Sequence, residues 1–140
     1  MHAPHIYLRH ASNRNRKKRH RYIGFIIVDS RRVFDREDVK KAIKRKAIEV
    51  FGERVRETGL RLTRYKENKG MVHCYHLYKD EVIELLRSIE KINGENVRIE
   101  TIGTSGTIKS LNRKYFGGML KKEDDPDFDW KRKERKLGRK

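Results

Sequence analysis

The sequence predicts a single α+β domain in which strands and helices follow one another as β-α-β-β-α-β, with a further helix at the C-terminal end. Three observations predict this fold class. Apolar residues are concentrated between Tyr22 and Phe116. Within that stretch, some segments are short and β-branched or alternating, as strands are, and others repeat apolar residues at helical spacing. The chain has 140 residues, a length that one domain accommodates.

The first strand and the first helix are predicted between Tyr22 and Gly52. The segment YIGFIIVD, residues 22–29, is apolar on both alternating faces, which is typical of a central strand covered on both sides. A helix is predicted from Asp35, and Gly52 predicts its end. Its apolar residues recur at helical spacing, at Val39, Ala42, Ile43, Ala47, Val50 and Phe51.

A hairpin and a second helix are predicted next. The segments TGLRLTRY and GMVHCYHLY, residues 58–65 and 70–78, alternate in strand fashion, and the short Gly-containing loop KENKG lies between them. In residues 79–92, KDEVIELLRSIEKI, the apolar residues fall on one side of a helix. The following NGEN, residues 93–96, predicts the end of that helix.

The last strand and the C-terminal helix complete the order. NVRIETIG, residues 96–103, reads as a strand, and SGTIKSLNRKYF, residues 105–116, as a helix. Ile108, Leu111 and Tyr115 recur there at i, i+3 and i+7. The resulting order is that of the ferredoxin-like, RRM-like split βαβ fold, in which both main helices cover one face of a four-stranded antiparallel sheet.

The charge of the chain predicts an anionic partner. Lys and Arg number 37 against 20 Asp and Glu, which gives a net charge of +17 at pH 7. Nucleic acid is the commonest partner of such a protein, and an acidic membrane is the next. No apolar run is long enough to span a bilayer, and the N-terminal stretch lacks the apolar segment of a signal peptide. We therefore expect a cytoplasmic protein without a membrane partner, and the single cysteine agrees with a reducing compartment.

Both ends of the chain are dense in charge, so we predict three parts: a basic flexible arm (1–21), a core domain (22–116) and a charged C-terminal tail (117–140). The block RNRKKRHR, residues 14–21, has six Lys or Arg in eight positions, which is typical of a solvated arm. The residues of this arm that we expect to contact RNA are Arg14, Arg16, Lys17, Lys18, Arg19 and Arg21.

Stacking of bases on the sheet, as in an RRM, is disfavoured. An RRM stacks bases on exposed aromatic side chains of its two central strands. The RRM signature matches at Lys69 and Gly70, but Met71 and His73 stand where the stacking aromatics belong. We expect the C-terminal helix or a partner protein to cover this face instead.

Neither a metal site nor a catalytic site is predicted. HCYH, residues 73–76, contains three potential ligands, but strand alternation sends His73 and Cys74 to opposite faces, so we expect Cys74 to be a buried small hydrophobe. Ser105 has no evident base partner and lacks the G-x-S-x-G pattern. The acidic run EDDPDFD, residues 123–129, is typical of a solvated segment.

The segment GTSGTIKSL, residues 103–111, permits two interpretations. Glycines let a ligand approach the backbone closely, and the unpaired amides of a helix start attract anions. On this interpretation the phosphate contacts are Ser105, Gly106, Thr107, Lys109, Arg113 and Lys114. The alternative is a Ser- or Thr-capped helix start whose glycines serve only the turn, and both interpretations fit the sequence. The P-loop pattern is absent, so nucleotide hydrolysis is not indicated.

The same region carries a family resemblance. VRIETIGTSGTIKSLNRKYF, residues 97–116, resembles the signature of the archaeal ribonuclease P protein component 2 family. The resemblance extends back through EVFGE and RYIGFIIVD to about Arg21, and SGTIK, Ser105 to Lys109, is its specific core. The basic arm and the charged tail lie outside it.

The resemblance implies a non-catalytic, RNA-binding protein subunit of ribonuclease P, the ribonucleoprotein endonuclease that removes the 5′ leader from precursor tRNA. In this family the RNA carries the active site and its Mg²⁺, and the protein binds no cofactor of its own. The implied partners are the ribonuclease P RNA, precursor tRNA indirectly, protein component 3 in a pair or a two-plus-two assembly, and other protein subunits. Self-association of the chain is compatible with such an assembly.

Two other function classes fit parts of the sequence. A ribosomal or RNA-chaperone protein of the same fold explains the composition and the arms equally well, and only SGTIK argues against it. An enzyme that uses the SGT turn as a phosphate site needs a catalytic base that the sequence does not supply. The RNA that copurifies with the chain separates the first class from ribonuclease P, and turnover by the purified protein alone would indicate the second.

Overall fold

The computed structural model describes residues 19–121, and its elements follow the predicted order with a few additions. The strands are β1 (His20–Val28), β2 (Arg61–Lys66), β3 (Lys69–Tyr75), β4 (Lys91–Ile92), β5 (Glu95–Asn96) and β6 (Arg98–Ser105). The helices are α1 (Arg36–Phe51), α2 (Val55–Thr58), α3 (Lys79–Arg87) and α4 (Ile108–Phe116), with 3₁₀ turns at Gly52–Arg54 and His76–Tyr78. Within this range, no helix has both the length and the apolar character needed to cross a membrane.

The four long strands form one antiparallel sheet in the order β2-β3-β1-β6. Strand β1 is central and pairs with β3 on one side and with β6 on the other, so the first and last strands of the domain are neighbours. Helices α1 and α3 pack on one face of the sheet, and α4 packs on the opposite face. The predicted ferredoxin-like fold with an added C-terminal helix is therefore confirmed.

The main core lies between the sheet and helices α1 and α3. Strand β1 contributes Ile23, Phe25 and Ile27, alternate residues that point to the same face. The helices contribute apolar residues at helical spacing, namely Val39, Ile43, Ala47 and Phe51 from α1 and Val82, Leu85 and Leu86 from α3. Full burial of each Leu, Ile, Val or Phe stabilises the fold by about 1.5–3 kcal/mol, so this layer is the main source of folding free energy.

A second, smaller apolar cluster lies on the outer face of the sheet. Met71 of β3 packs there with Leu111 and Phe116 of α4 and with Leu120, which is fully buried. The side chain of Asn112 holds Leu120 in place, because Nδ2 donates to the Leu120 carbonyl (2.6 Å) and Oδ1 accepts from the Leu120 amide (3.1 Å). Of the two covers predicted for this face, a helix of the same chain is the one that the structure shows.

The folded unit extends past the predicted core boundaries of 22 and 116. Strand β1 begins two residues earlier, because His20 pairs with Tyr75 and Arg21 pairs with Cys74. At the other end the fold continues to Leu120, which is buried although residues after Phe116 were assigned to the charged tail. The rest of the predicted arm (1–18) and of the predicted tail (122–140) lies outside the described residues.

Helix α3 is shorter than predicted. It ends at Arg87, whereas the apolar spacing predicted a helix to Ile92. The Ser88 hydroxyl donates to a carbonyl of the last turn (2.7 Å), and the small hairpin β4–β5 follows, turning at Asn93 and Gly94 with φ of 51° and 82°. Ile92 is fully buried all the same, so the spacing indicated a real core contact, which is made from a strand.

The turn between β2 and β3 consists of Glu67 and Asn68. Both have positive φ, 48° and 66°, and they connect Lys66 to its strand partner Lys69 in a two-residue turn. The predicted loop relied on Gly70, which lies inside β3 instead. Two non-glycine residues therefore occupy the left-handed region, which asparagine tolerates better than most residues.

The Asn68 side chain ties this turn to the loop before α1. Its Oδ1 accepts a hydrogen bond from the Phe34 amide (2.9 Å), and its Nδ2 donates to the Arg32 carbonyl (2.8 Å). The Tyr65 hydroxyl lies 3.0 Å from the same Oδ1 and donates to the Phe34 carbonyl (2.6 Å). Burial raises the pKa of Tyr65 to about 12, so the hydroxyl stays a donor at all ordinary pH values.

Replacing Asn68 tests how much this connection contributes to the free energy of unfolding. We expect Asn68→Ala to lower the free energy of unfolding by about 2–3 kcal/mol, because it removes hydrogen bonds that are partly buried or exposed and forces alanine into the left-handed region. Asn68→Gly removes the same hydrogen bonds but suits the turn, so its loss should be smaller. Urea unfolding followed by circular dichroism measures both, and equal stability of the alanine variant and the wild type would contradict the role of this side chain.

Candidate nucleic-acid interface

The turn from β6 into α4 is a capped helix start. Thr107 is the N-cap residue, and its Oγ1 accepts a hydrogen bond from the Ser110 amide (3.2 Å). The Ser105 hydroxyl accepts a weaker bond from the Thr107 amide (3.4 Å). Both hydroxyls thus satisfy the turn itself, as the second interpretation of the sequence expects. The amides of Ile108 and Lys109 open the helix and carry the partial positive charge of its N-terminal end.

The two glycines of the turn have different roles. Gly103 lies in β6 directly under the ring of Tyr115, and a Cβ on this residue would collide with that ring. This glycine serves packing, not ligand approach. Gly106 is exposed, and the atom nearest to its missing side chain is Nη1 of Arg21, at 3.3 Å. Gly106 is therefore the position where a phosphate can come close to the backbone.

Strand register brings the N-terminal basic segment to this turn. Tyr22 of β1 pairs with Ser105 of β6, so the neighbouring Arg21 lies beside Gly106, where its Nη1 donates to the His20 carbonyl (2.8 Å). Arg19 is exposed. Of the predicted arm contacts, Arg21 lies next to the turn, and Arg19 lies just before β1, where its carbonyl accepts from the His76 amide (2.8 Å). Arg14, Arg16, Lys17 and Lys18 fall outside the described residues and remain predictions.

Helix α4 lines a cationic cleft together with β2. Lys109 and Arg113, one helical turn apart, line a cleft of about 510 Å³ together with Arg64, Asn112 and Gly118. We call this site the α4 cleft. It contains three cationic side chains from two elements, and that concentration of positive charge favours an anion. Lys114 is exposed on the same helix but does not line the α4 cleft.

Arg64 is the site residue that the sequence interpretation missed. A β-bulge between Leu62 and Arg64 shifts the register of β2, so Arg64 pairs with Met71 beneath α4. Its Nη1 also donates to the Leu120 carbonyl (2.9 Å). A signal was present, since the buried Leu62 and Tyr65 are separated by three positions and a regular strand requires an even number.

Two acidic side chains form ion pairs at the other end of the sheet. There Arg98 forms ion pairs with Asp29 (3.5 Å) and Glu100 (3.1 Å). Among the ion pairs found within residues 19–121, none involves Lys109 or Arg113. Within residues 19–121, Lys109 and Arg113 therefore have no acidic ion-pair partner, and their charges favour an external anion.

His73 and Cys74 do not form a metal site in the described part of the chain. Burial raises the pKa of Cys74 to about 12, so its thiol stays protonated. Burial also lowers the pKa of His73, the Gly59 carbonyl that lies 2.6 Å from Nδ1 raises it, and Arg61 and His20 lower it. Across residues 19–121, no three His, Cys, Asp or Glu side chains are grouped as metal ligands would be.

Comparisons with known proteins agree on one family. Residues 21–116 match the Rpp14/Pop5 family. Ribonuclease P protein component 2 of Archaeoglobus fulgidus is 35% identical over 100 residues, covering 71% of this chain and 91% of that protein. The protein of the same name from Pyrococcus horikoshii is 34% identical over 107 residues, covering 71% and 85%. A chain in the cryo-EM structure of yeast ribonuclease MRP has the same fold, with a TM-score of 0.55 and 9% identity over 64% of this chain and 76% of that one.

The packing of α4 can be tested at the two glycines of the turn. Gly103→Ala should lower the free energy of unfolding by about 1–3 kcal/mol, because the added methyl group collides with Tyr115. Gly106→Ala is the matched control and should be nearly neutral, since its methyl meets only the flexible end of Arg21. Thermal unfolding measures both. Adding Tyr115→Ala to Gly103→Ala should remove the collision, and an additive loss in that double variant would contradict the proposed cause.

Proposed function

Because the chain belongs to the Rpp14/Pop5 family, we propose that it is a non-catalytic, RNA-binding subunit of ribonuclease P, the ribonucleoprotein endonuclease that matures the 5′ end of precursor tRNA. Archaeal relatives are named ribonuclease P protein component 2. The observation that carries the proposal is the α4 cleft, whose Lys109 and Arg113 form no ion pair within residues 19–121 and whose helix begins at an exposed glycine turn. Together with protein component 3, the chain would support the catalytic domain of the RNA.

The cations of the α4 cleft, which would bind phosphates, belong to ordered secondary-structure elements. Arg64 projects from a strand, and Lys109 and Arg113 project from a helix. Less conformational entropy is lost on binding when the backbone is already ordered. An arginine guanidinium can contact two phosphate oxygens at once, whereas lysine acts as a point charge. Such contacts position a protein on RNA without reading its sequence, which suits a subunit that braces a folded RNA.

The net charge supports a role in RNA folding. A folded RNA brings its phosphates close together, and a chain of charge +17 can replace part of the surrounding cations. The RNA should then need less Mg²⁺ to fold. We place the active site in the RNA, where Mg²⁺ would activate the attacking water, and assign no cofactor to the chain. The hydroxyl of Ser105 fits this division, since it accepts a hydrogen bond within the turn.

The proposal includes protein partners and a cytoplasmic location. Component 3 would bind as a pair or in a two-plus-two assembly that brings two copies of this chain together, and other protein subunits would join the same particle. Precursor tRNA would be met indirectly, through the RNA. The half-exposed side chains of Ile48 and Val50 near the end of α1 suit a protein contact, because they lie on the opposite side of the sheet from the α4 cleft.

Reconstitution tests the proposed function directly. The full chain is combined with the cognate ribonuclease P RNA and component 3, and cleavage of precursor tRNA is followed as Mg²⁺ is lowered. We expect the complete mixture to cleave at Mg²⁺ concentrations at which the mixture without this chain is inactive. Identical activity with and without the chain would contradict the proposal.

The α4 cleft makes a separate prediction about salt. Lys109→Ala combined with Arg113→Ala should flatten the slope of log K against log salt by roughly 0.7–0.9 per lost phosphate contact. The matched control is Lys40→Ala combined with Lys44→Ala, which removes the same charge at the same spacing from α1 on the other face. Filter binding to the cognate RNA gives both slopes. Equal flattening by the two pairs would mean that net charge acts, not the α4 cleft.

A further inference from the structure

Helix α4 covers only part of the outer face of the sheet. The ring of Phe116 lies over Gly24, and the ring of Tyr115 lies over Gly103, its strand partner. One row further along the same face, Tyr22 is paired with His73. The next row contains His20, at the start of β1. This end of the face is therefore built from rings, of which Tyr22 packs at the edge of the cluster beneath α4.

Four rings come together at this end, and we call them the ring patch: His20, Tyr22, His73 and Tyr75. The centroid of His73 lies 4.9 Å from that of His20 and 5.3 Å from those of Tyr22 and Tyr75. His73 is buried at the centre, whereas His20 is exposed and the two tyrosines are partly exposed. The outer three rings thus present their surfaces around a fixed central imidazole.

A hydrogen-bond chain holds the two imidazoles in place. His73 Nδ1 lies 2.6 Å from the Gly59 carbonyl, which can only accept, so Nδ1 carries the hydrogen. Burial lowers the pKa of His73 and favours its neutral form, in which Nε2 accepts from His20 Nδ1 at 2.7 Å. The Nε2 of His20 is then the ring nitrogen that this chain of hydrogen bonds leaves to a ligand.

The charges around the ring patch are basic. Arg61 and His20 are the charged groups that act on His73, and Lys79 and Arg21 act on Cys74 just behind it. Cations beside accessible rings suit nucleic acid, because a base can stack on the rings while its phosphate contacts the cations. An acidic protein surface would contact only the cations, and a purely apolar one would contact only the rings.

We propose that the ring patch binds an unpaired nucleobase of RNA, stacked on Tyr22 and His20, with its phosphate at the neighbouring Ser105–Thr107 turn. Tyr22 pairs directly with Ser105, and adjacent strands lie about 5 Å apart, a separation that one nucleotide spans. The inference rests on the proposed function only in taking RNA as the ligand. It differs from RRM stacking, since of the two RRM stacking positions Met71 is covered by α4 and His73 is buried, so the base would stack on Tyr22 and His20.

Single-stranded RNA oligonucleotides test the proposal with the full chain. One oligonucleotide carries 2-aminopurine at its centre, and a second carries an abasic site there. Tyr22→Ala should weaken binding of the first by about tenfold, as expected for one lost stacking contact, without changing the salt slope. The matched control Tyr22→Phe keeps the ring and should keep the affinity. The abasic oligonucleotide should bind the wild type and Tyr22→Ala equally.

A second variant distinguishes the loss of stacking from misfolding of the Tyr22→Ala variant. Tyr22 also packs at the edge of the cluster beneath α4, so this variant is taken from the exposed His20. His20→Ala should give the same selective loss, with only the small fall in melting temperature expected from the lost hydrogen bond to His73. Quenching of 2-aminopurine should accompany binding of the wild type and disappear in both alanine variants. Unchanged affinity for the 2-aminopurine oligonucleotide in both alanine variants would overturn the proposal.

Two further outcomes separate the proposals from each other. If both alanine variants bind the oligonucleotides normally but fail to bind component 3, the ring patch is a protein interface and the nucleobase proposal is wrong. If the selective loss is found but reconstitution shows no need for this chain, base binding stands and the ribonuclease P assignment fails.

Discussion

The site depends on how closely α4 can approach the sheet. Two glycines on neighbouring strands, Gly24 and Gly103, leave room for the rings of Phe116 and Tyr115. Side chains at either glycine would lift the helix and with it the α4 cleft. The turn before α4 is short because Thr107 caps the helix with its own hydroxyl. The proposed phosphate contacts would therefore be positioned by aromatic packing on glycine, a local constraint that the charged residues themselves do not supply.

Burial of apolar side chains on both faces of the sheet explains how a small core supports a large net charge. The two apolar clusters on opposite faces of the sheet bury side chains from every long element. Charged side chains are left at the surface, where acids pair with bases at the far end of β1 and β6. At the α4 end, cations that have no ion pair within residues 19–121 repel one another and slightly oppose folding. RNA phosphates at the proposed binding surface would remove that repulsion.

The fold could be predicted from sequence because its main signals are periodic. The alternation in β1 and the helical spacing in α1 each reflect burial on one face, and both elements form as predicted. The end of α3 could not be predicted in the same way, since Ile92 is buried equally well from a helix or from a strand. Burial spacing reports which side chains reach the core, and hydrogen bonds of the type made by Ser88 decide where an element stops.

The candidate site was predictable only in part, for a related reason. The candidates on α4 were found because they are close in sequence, and the structure places Lys109 and Arg113 in one cleft. Arg64 joins them through a bulge in β2, and Arg21 joins the turn through the pairing of β1 with β6. These contacts depend on strand register, which the local composition of the sequence does not indicate. Gly103 is the opposite case, in which a sequence feature suggested a ligand contact that the structure does not support. The ring of Tyr115 packs against this glycine instead.

Strand register also joins the two modes of RNA contact. The pairing of Tyr22 with Ser105 sets the ring patch beside the capped turn, so stacking and phosphate binding would act on the same nucleotide. Phosphate contacts weaken as salt rises, whereas stacking depends much less on salt. A surface that combines them would retain a preference for unpaired RNA when counterions screen its charge. The burial of His73 beneath the rings then has a functional reason, because a fixed central imidazole keeps the stacking surface in place before RNA binds.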